Sequence, residues 1–421
     1  MTETHGPAGK SGSPESLLLR NASLPNGRLG DIRLVDGLVD EVGDPGRVGG
    51  GGEALDLAGY LVLPAPAEPH AHYDTALTAD RAPNPGGTLR GAVAAWKAVA
   101  TGATRDDFVG RATEVALMAL ANGATAVRTH VGIYPEVGLT AVEALLTVRD
   151  RLRAWMDLQL VALTTELTTP EGKQVESLLR AAIEMGVDAV GGCPHLDPDP
   201  QACIDVYLQL AADSSKPADL HMDEQLDPSL DNLPYLASRV RELGLGGRVT
   251  ASHCVSLGIQ PVDHVRRVAE DLADAGVAVV CNPQTNLYLQ GRGLDTAAPR
   301  GLTAMRPLLS TGAVVAGGGD NVQDPFNPVG RADPLETASL LVTAGHLTLS
   351  EAYDAVSVGA RAAMCLPQVT VDAGSPAEFL AVRAASLNRA LASPMERIVI
   401  HGGRVVSQTN VTTQLPRPPS T

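Results

Sequence analysis

Two different hydrophobic patterns run along the chain. In its middle, short apolar runs recur at 125–132 (TAVRTHVG), 157–163 (DLQLVAL), 188–195 (DAVGGCPH), 218–224 (ADLHMDE), 248–254 (RVTASHC), 277–283 (VAVVCNP) and 313–321 (AVVAGGGDN). With LVLPAPAEPHAH at 61–72 they number eight. Runs that are apolar on both faces suit a parallel sheet covered on each side. Between them lie stretches of helical periodicity, among them DDFVGRATEVALMALANG, TAVEALLTVRDRLRAW and HVRRVAEDLADAG. Gly123, Gly186, Gly276 and Gly312 each stand just before the next run, where a left-handed residue closes a helix. Eight alternations of strand and helix across about 250 residues predict an α/β chain of the (β/α)8 TIM-barrel type. A doubly wound open sheet is the alternative, and it lacks the GxGxxG that would open a helix after its first strand.

The two ends follow a period of two. SLLLRNASL, GDIRLVDGLVDEV and GYLVLP fall between 15 and 64, interrupted by the Gly-rich stretch 48–52, and the pattern returns as AEFLAVRA and RIVIHGGRVV within 377–406. This is the grammar of strands and turns, and it predicts one small β domain assembled from both ends. Residues 1–14 and 409–421, rich in Ser, Thr, Pro and Gly, are expected to be mobile tails.

Composition narrows the function. At 421 residues, with 44% hydrophobic and 19% charged positions, the chain is an ordinary globular one. Its net charge of −16 repels nucleic-acid backbones and anionic membranes, and 3% aromatic residues leave few platforms for stacking bases. No nucleic-acid or membrane partner is therefore expected. No apolar stretch reaches the roughly 18 residues of a membrane span, and MTETHGPAGKSGSPES lacks the apolar core of a secretory signal. A cytoplasmic location and a homo-oligomer are expected. Five cysteines without a CxxC pair read as buried free thiols in a reducing compartment.

A barrel does its chemistry at the C-terminal ends of its strands, and the run ends here carry imidazoles and carboxylates. His70 and His72 follow the first run, His130 the second and His195 the fourth; His221 and Glu224 close the fifth, His253 the sixth and Asp320 the eighth. Alternate residues of a strand share a face, so His70 and His72 can reach one ion. An HxH alone is a weak signal; His221 and Asp320 at other strand ends strengthen it. These four suit one divalent ion, zinc or iron(II), with room left for a hydrolytic water. Glu224 reads either as a solvated loop carboxylate or as a proton shuttle, and His253 as an imidazole that orients the nucleophile or stabilises an oxyanion. For His130 and His195 a structural role weighs as much as a rim role. GPAGKS at 6–11 ends like a phosphate loop, but Thr4 stands at its first glycine position and no strand precedes it. Neither GxSxG nor HExxH occurs. Cys254 is expected to pack rather than react.

In their order and spacing, EPHAHYDTALT (68–78), NGATAVRTHV (122–131), DLQLVAL (157–163), DLHMDE (219–224), RVTASH (248–253), CNPQTNLYLQGR (281–292) and GGGDNVQDPFNPVG (317–330) carry a further signal. The chain resembles the amidohydrolase superfamily over residues 18–406, and within it the bacterial cytosine deaminases. The resemblance implies a metal-dependent barrel at 65–368 and a flanking β-sandwich made of 15–64 with 369–408. It implies one metal held by His70, His72, His221 and Asp320, with no bridging carboxylated lysine. Glu224 would be the general acid/base, Asp320 a catalytic group as well as a ligand, and His253 the partner of a metal-bound hydroxide. The reaction implied is deamination of a small cyclic nitrogenous substrate at an amidine-type carbon, with release of ammonia.

The departures lie where substrate is read. The family's Phe-Pro-Gln stretch, whose glutamine reads the pyrimidine edge, aligns with Leu163, Thr164 and Thr165. Its second aspartate is Asn321, and its tryptophan is Phe326. Leu163, Thr165, Asn321 and Phe326 are thus the expected substrate-binding positions. Loss of an amide reader removes the discrimination it supplied, so cytosine itself is not implied. The few aromatics point to a ring that need not be a flat pyrimidine. Two alternatives remain: hydrolysis of another C–N bond, by opening a cyclic amide or releasing an alkylamine from a triazine-like ring, and a non-catalytic binding barrel.

Overall fold

The first apolar run is divided between two sheets. Its first half closes an N-terminal group of strands: β1 (Ser16–Ser23), β2 (Leu29–Val35), β3 (Leu38–Gly43), β4 (Glu53–Asp56) and β5 (Leu61–Pro64). Its second half is β6 (Ala67–Ala71), the first strand of a barrel. Pro64 is the last residue of β5 and Pro66 stands just before β6, so the run passes from one sheet to the other across the Pro64–Pro66 stretch. The computed structural model describes residues 16–50 and 52–415, so GPAGKS, the expected tail at 1–14 and residues 416–421 lie outside the described residues.

The barrel continues with β7 (Ala126–Gly132), β8 (Asp157–Thr164), β9 (Ala189–Gly192), β10 (Ala218–Met222), β11 (Val249–His253), β12 (Val277–Cys281) and β13 (Val315–Gly317). These strands pair parallel and in sequence order. Asp320 closes the ring by bridging to Ala71, its N–H donating to the His70 carbonyl at 2.9 Å. The expected (β/α)8 TIM barrel is thus present. The eighth run yields the shortest strand, and the glycines after it explain why. A Cβ on Gly318 would lie 2.6 Å from Asn282 Oδ1 and 3.0 Å from both Glu68 Oε1 and His70 Cβ. Glu68 fills that narrow gap, its two oxygens accepting the Gly319 N–H at 3.0 and 2.9 Å.

Three helices precede β8: α1 (Leu89–Ala100), α2 (Arg105–Ala121) and α3 (Thr140–Leu152). The second and third match the expected periodic stretches, as does the helix Val262–Ala275. Gly186 and Gly276 end their helices at φ +97° and +67°. The helix α1 is an addition to the repeat, standing between β6 and α2, with the Thr88 side chain capping its N-terminus by accepting the Gly91 N–H.

The two ends do meet in one sheet. The C-terminal strands β14 (Phe379–Val382), β15 (Arg397–His401) and β16 (Arg404–Thr409) join it in the order β16-β15-β14-β5-β1-β2-β3, with β4 pairing to β1. Alternation decides what each face covers. Leu61, Leu63, Leu380, Val382 and Val399 enter the barrel's core, whereas Val62, Phe379, Ala381, Ile398 and Ile400 enter a separate core with Leu17, Leu19 and Ile32. Thr409 is thus still in a strand, and 410–415 have no regular structure. Leu380 is fully buried against the turn after α2, where a Cβ on Gly123 would come within 2.8 Å of Leu380 Cδ2. Leu380→Ala is expected to cost about 2–5 kcal/mol, read as a lowered denaturant midpoint; an unchanged midpoint would mean that this face of the sheet is not bound to the barrel.

Cys193, Cys203, Cys254 and Cys281 are buried thiols as expected, but Cys365 is exposed. It occupies a left-handed turn (φ +57°) beside Gly247, near the N-terminal end of β11. No described helix is long and apolar enough to cross a membrane.

Candidate active site

The C-terminal ends of four barrel strands bring together the predicted polar residues. His70 lies in β6 and His72 one residue beyond it; His221 lies in β10, with Glu224 two residues past its end. His253 is the last residue of β11, and Asp320 follows β13. His253 and Asp320 adopt φ of +69° and +64°. Such left-handed backbone is uncommon outside glycine and collects at functional sites, where it re-aims a side chain at the end of a strand.

His72 Nε2 lies 3.3 Å from Asp320 Oδ1 and 3.2 Å from His221 Nε2, and His70 Nε2 lies 3.6 Å from Asp320 Oδ1. Ligand atoms of His70, His72 and Asp320 fall within 4.8 Å of one another, as do those of His70, His221 and His253. Among the described residues, His70 Nε2 and both carboxylate oxygens of Asp320 are buried without a hydrogen-bond partner. Left so, each buried polar atom costs about 1–3 kcal/mol, whereas a cation would satisfy all of them. Burial pushes His72 down to about 3 and His70 and His221 well below the usual imidazole range. Neutral imidazole is the ligating form. Burial pushes the Asp320 carboxyl up; a cation beside it acts in the opposite direction. Three neutral imidazoles and one carboxylate fit a divalent ion of borderline softness.

Glu224 and His253 flank this cluster. Glu224 Oε1 lies 3.4 Å from His253 Nδ1, and His253 Nε2 lies 4.0 Å from Asp320 Oδ2. Burial pushes Glu224 up to about 8. Two residues not foreseen from the sequence grip the His253 ring: Asn286 Nδ2 at 3.1 Å from Nδ1 and Asn282 Nδ2 at 3.3 Å from Nε2. Both come from CNPQTN, a stretch whose family resemblance was visible while its partner was not. His195 donates Nδ1–H to the His221 carbonyl at 3.0 Å, and His130 lies against His70 with ring centroids 4.2 Å apart. Neither lines the pocket described next.

A pocket of about 600 Å³, counting space open to solvent, lies over the cluster. Leu163, Thr165, Asn321 and Phe326 all line it with His72, His221, Glu224, His253 and Asp320. Alternation along β8 separates Leu163 and Thr165 from Thr164, whose hydroxyl pairs instead with Tyr207 Oη at 2.8 Å. Asn321 is held internally: its Nδ2 donates to Asp324 Oδ2 at 2.7 Å, and its Oδ1 accepts from Thr285 at 3.3 Å. The facing wall, which no sequence pattern announced, comes from α1 and the loop after β7. Leu89, Val93 and Trp96 repeat along one face of α1, and Tyr134 stands beyond β7. One of the two tryptophans and one of the three phenylalanines thus line this pocket. Aromatics scarce in the chain as a whole gather here, because composition does not report where they fall.

A closed parallel barrel with imidazoles and a carboxylate at its rim, and a second, proton-holding carboxyl beside them, is the frame of a metal-dependent hydrolase. The amidohydrolase family matches residues 97–407, and the chain belongs to that family. A pterin deaminase of Rhizobium rhizogenes is 29% identical over 385 residues, covering 90% of this chain and 88% of that protein. An N-isopropylammelide isopropyl amidohydrolase of Pseudomonas sp. strain ADP is 25% identical over 378 residues, covering 85% and 89%. The crystal structure of 5-methylcytosine deaminase from Klebsiella pneumoniae with phosphonocytosine superposes at a TM-score of 0.87 and 29% identity, covering 95% of this chain and 100% of that one. The protein is a hydrolase of C–N bonds, of the cytosine-deaminase-like type.

Proposed function

We propose that the protein removes the exocyclic amine of a small aromatic nitrogen heterocycle as ammonia, at an amidine-type carbon. The observation that carries this reading is Glu224. Held at about 8 by burial, it is a carboxylic acid at neutral pH, set in the same pocket as Asp320 and His253. An acid beside a carboxylate is what adding water across C=N requires.

In this reading His70, His72, His221 and Asp320 hold one divalent ion, zinc or iron(II). When bound, the ion supplies a water acidified to a pKa of about 7 and polarises the developing oxygen. Asp320 takes a proton from the attacking water. Glu224 delivers its proton to the ring nitrogen beside the attacked carbon, and His253 faces the charge that develops on oxygen. The proton on Asp320 passes to the exocyclic amine, the added hydroxyl returns its remaining proton to the Glu224 carboxylate as the C–N bond breaks, and ammonia leaves a ring that now carries C=O and N–H. The wall of Leu89, Val93, Trp96, Tyr134 and Phe326 accepts the faces of a flat ring. Pterin and methylcytosine deaminases among the relatives support an aminated heterocycle as substrate.

Ammonia release by the zinc- or iron-loaded protein tests this on cytosine, 5-methylcytosine, isocytosine, creatinine, pterins and aminotriazines. Release from one of these rings is expected. Silence across the panel with metal bound would overturn it. The apolar α1 wall and the isopropyl amidohydrolase relative favour one second reading, release of an alkylamine, for which isopropylamine from an N-isopropyl triazine is the signature. Thr165 supplies a further test. Thr165→Gln restores an amide to the pocket and is expected to raise cytosine turnover at least about tenfold; no gain would remove position 165 as the specificity switch.

A further inference from the structure

Beneath the cluster, the barrel interior holds a polar chain that the proposed mechanism does not use. Arg128 of β7, Asp219 of β10 and Ser252 of β11 are all fully or almost fully buried. Arg128 Nη1 donates to Asp219 Oδ2 at 3.0 Å, Ser252 Oγ donates to Asp219 Oδ1 at 3.0 Å, and Ser252 Oγ stands 2.9 Å from His70 Nδ1. His130 Nε2 also faces Asp219 Oδ1, at 3.5 Å.

We infer that this chain is a relay that fixes the tautomer of His70, with Arg128, Asp219 and Ser252 as positioning residues. The direction of each hydrogen bond follows from counting protons. A guanidinium is always charged, so its buried partner Asp219 is the carboxylate, which only accepts. Ser252 has one hydroxyl proton and commits it to Asp219. Toward His70 the serine oxygen can therefore only accept, and His70 must carry its proton on Nδ1. A neutral imidazole has one N–H, so Nε2 keeps its lone pair. Nε2 is the atom that lies buried without a partner, 3.6 Å from Asp320 Oδ1. The relay thus points the lone pair into the cluster before any ion arrives. The inference rests on His70 being a ligand, as proposed above.

The same count predicts what inverts the relay. In Asp219→Asn, Arg128 still donates to the oxygen at the Oδ2 position, which leaves the amide NH2 facing Ser252. Ser252 then accepts from the amide and must give its own proton to His70 Nδ1, moving the imidazole proton to Nε2. In Ser252→Ala the bias is simply lost.

The test reads the His70 ring nitrogens by 15N NMR in the metal-free protein and zinc affinity by competition with a chelator. Neither measurement involves a substrate. The wild type is expected to show the Nδ1–H tautomer. Ser252→Ala should bind zinc about 10- to 100-fold more weakly, and Asp219→Asn more weakly still, with the proton on Nε2. An Nε2–H tautomer in the wild type would overturn the relay, as would zinc affinity within about threefold of wild type in Ser252→Ala. Should Asp219→Asn fail to fold, with the buried charge of Arg128 no longer balanced by a carboxylate, the wild-type tautomer and Ser252→Ala still decide. An Nδ1–H wild type that binds no zinc would support the relay and count against the ligand set instead.

Discussion

Asp320→Asn is expected to lower kcat/KM by at least about 10⁴-fold, equivalent to about 5.5 kcal/mol of barrel-bound transition-state stabilisation. The substitution removes the one anionic ligand and the group proposed to take the first proton. It should leave the fold intact for two reasons. Asp320 closes the barrel through its backbone N–H to the His70 carbonyl at 2.9 Å, which an asparagine retains. Its φ of +64° is left-handed, a conformation asparagine tolerates better than most residues. Ammonia release, metal content and the melting curve are measured on the same preparation. Activity within tenfold of wild type, with the melting curve unchanged, would end the assignment of Asp320.

Glu224→Gln is expected to cost about 10²- to 10⁴-fold in kcat and to change the shape of the pH profile. Burial raises Glu224 to about 8. The sign follows from its role: the protonated acid is the working form, it is present below that value, and it is lost above it. Wild-type turnover should therefore fall as pH rises through about 8. Glutamine cannot titrate, so the residual rate of the variant should lack that limb. A descending limb near pH 8 that survives in Glu224→Gln would assign it to another group.

Much of the site was legible because its signals are local. His70 and His72 share a face through the two-residue period of a strand, and the strand ends that carry His221, His253 and Asp320 could be located from the apolar runs. Glu224 in HMDE could be placed near the rim, while the role proposed for it was singled out only by the family resemblance. Other features were not legible, because no local pattern encodes them. Ser252 meets His70 across 182 residues of sequence. Asn282 and Asn286 lie in a readable stretch, yet nothing in it names His253 as their partner. Asn321 was read as a substrate contact; it does reach the pocket, but its amide is held by Asp324 and Thr285.

The sequence by itself determined the barrel, the joint β sheet and the identity of the clustered imidazoles and carboxylates, because backbone geometry imposes periods of two and 3.6 on any chain that buries one face. Tertiary structure alone decided three things. It divided the first run between two sheets, and it set α1 against the pocket with Trp96. It also turned the hydrogen bonds beneath His70 toward one tautomer. Each of these depends on which atoms meet when distant strands pack side by side, and hydrogen-bond direction and cavity shape exist only once they do.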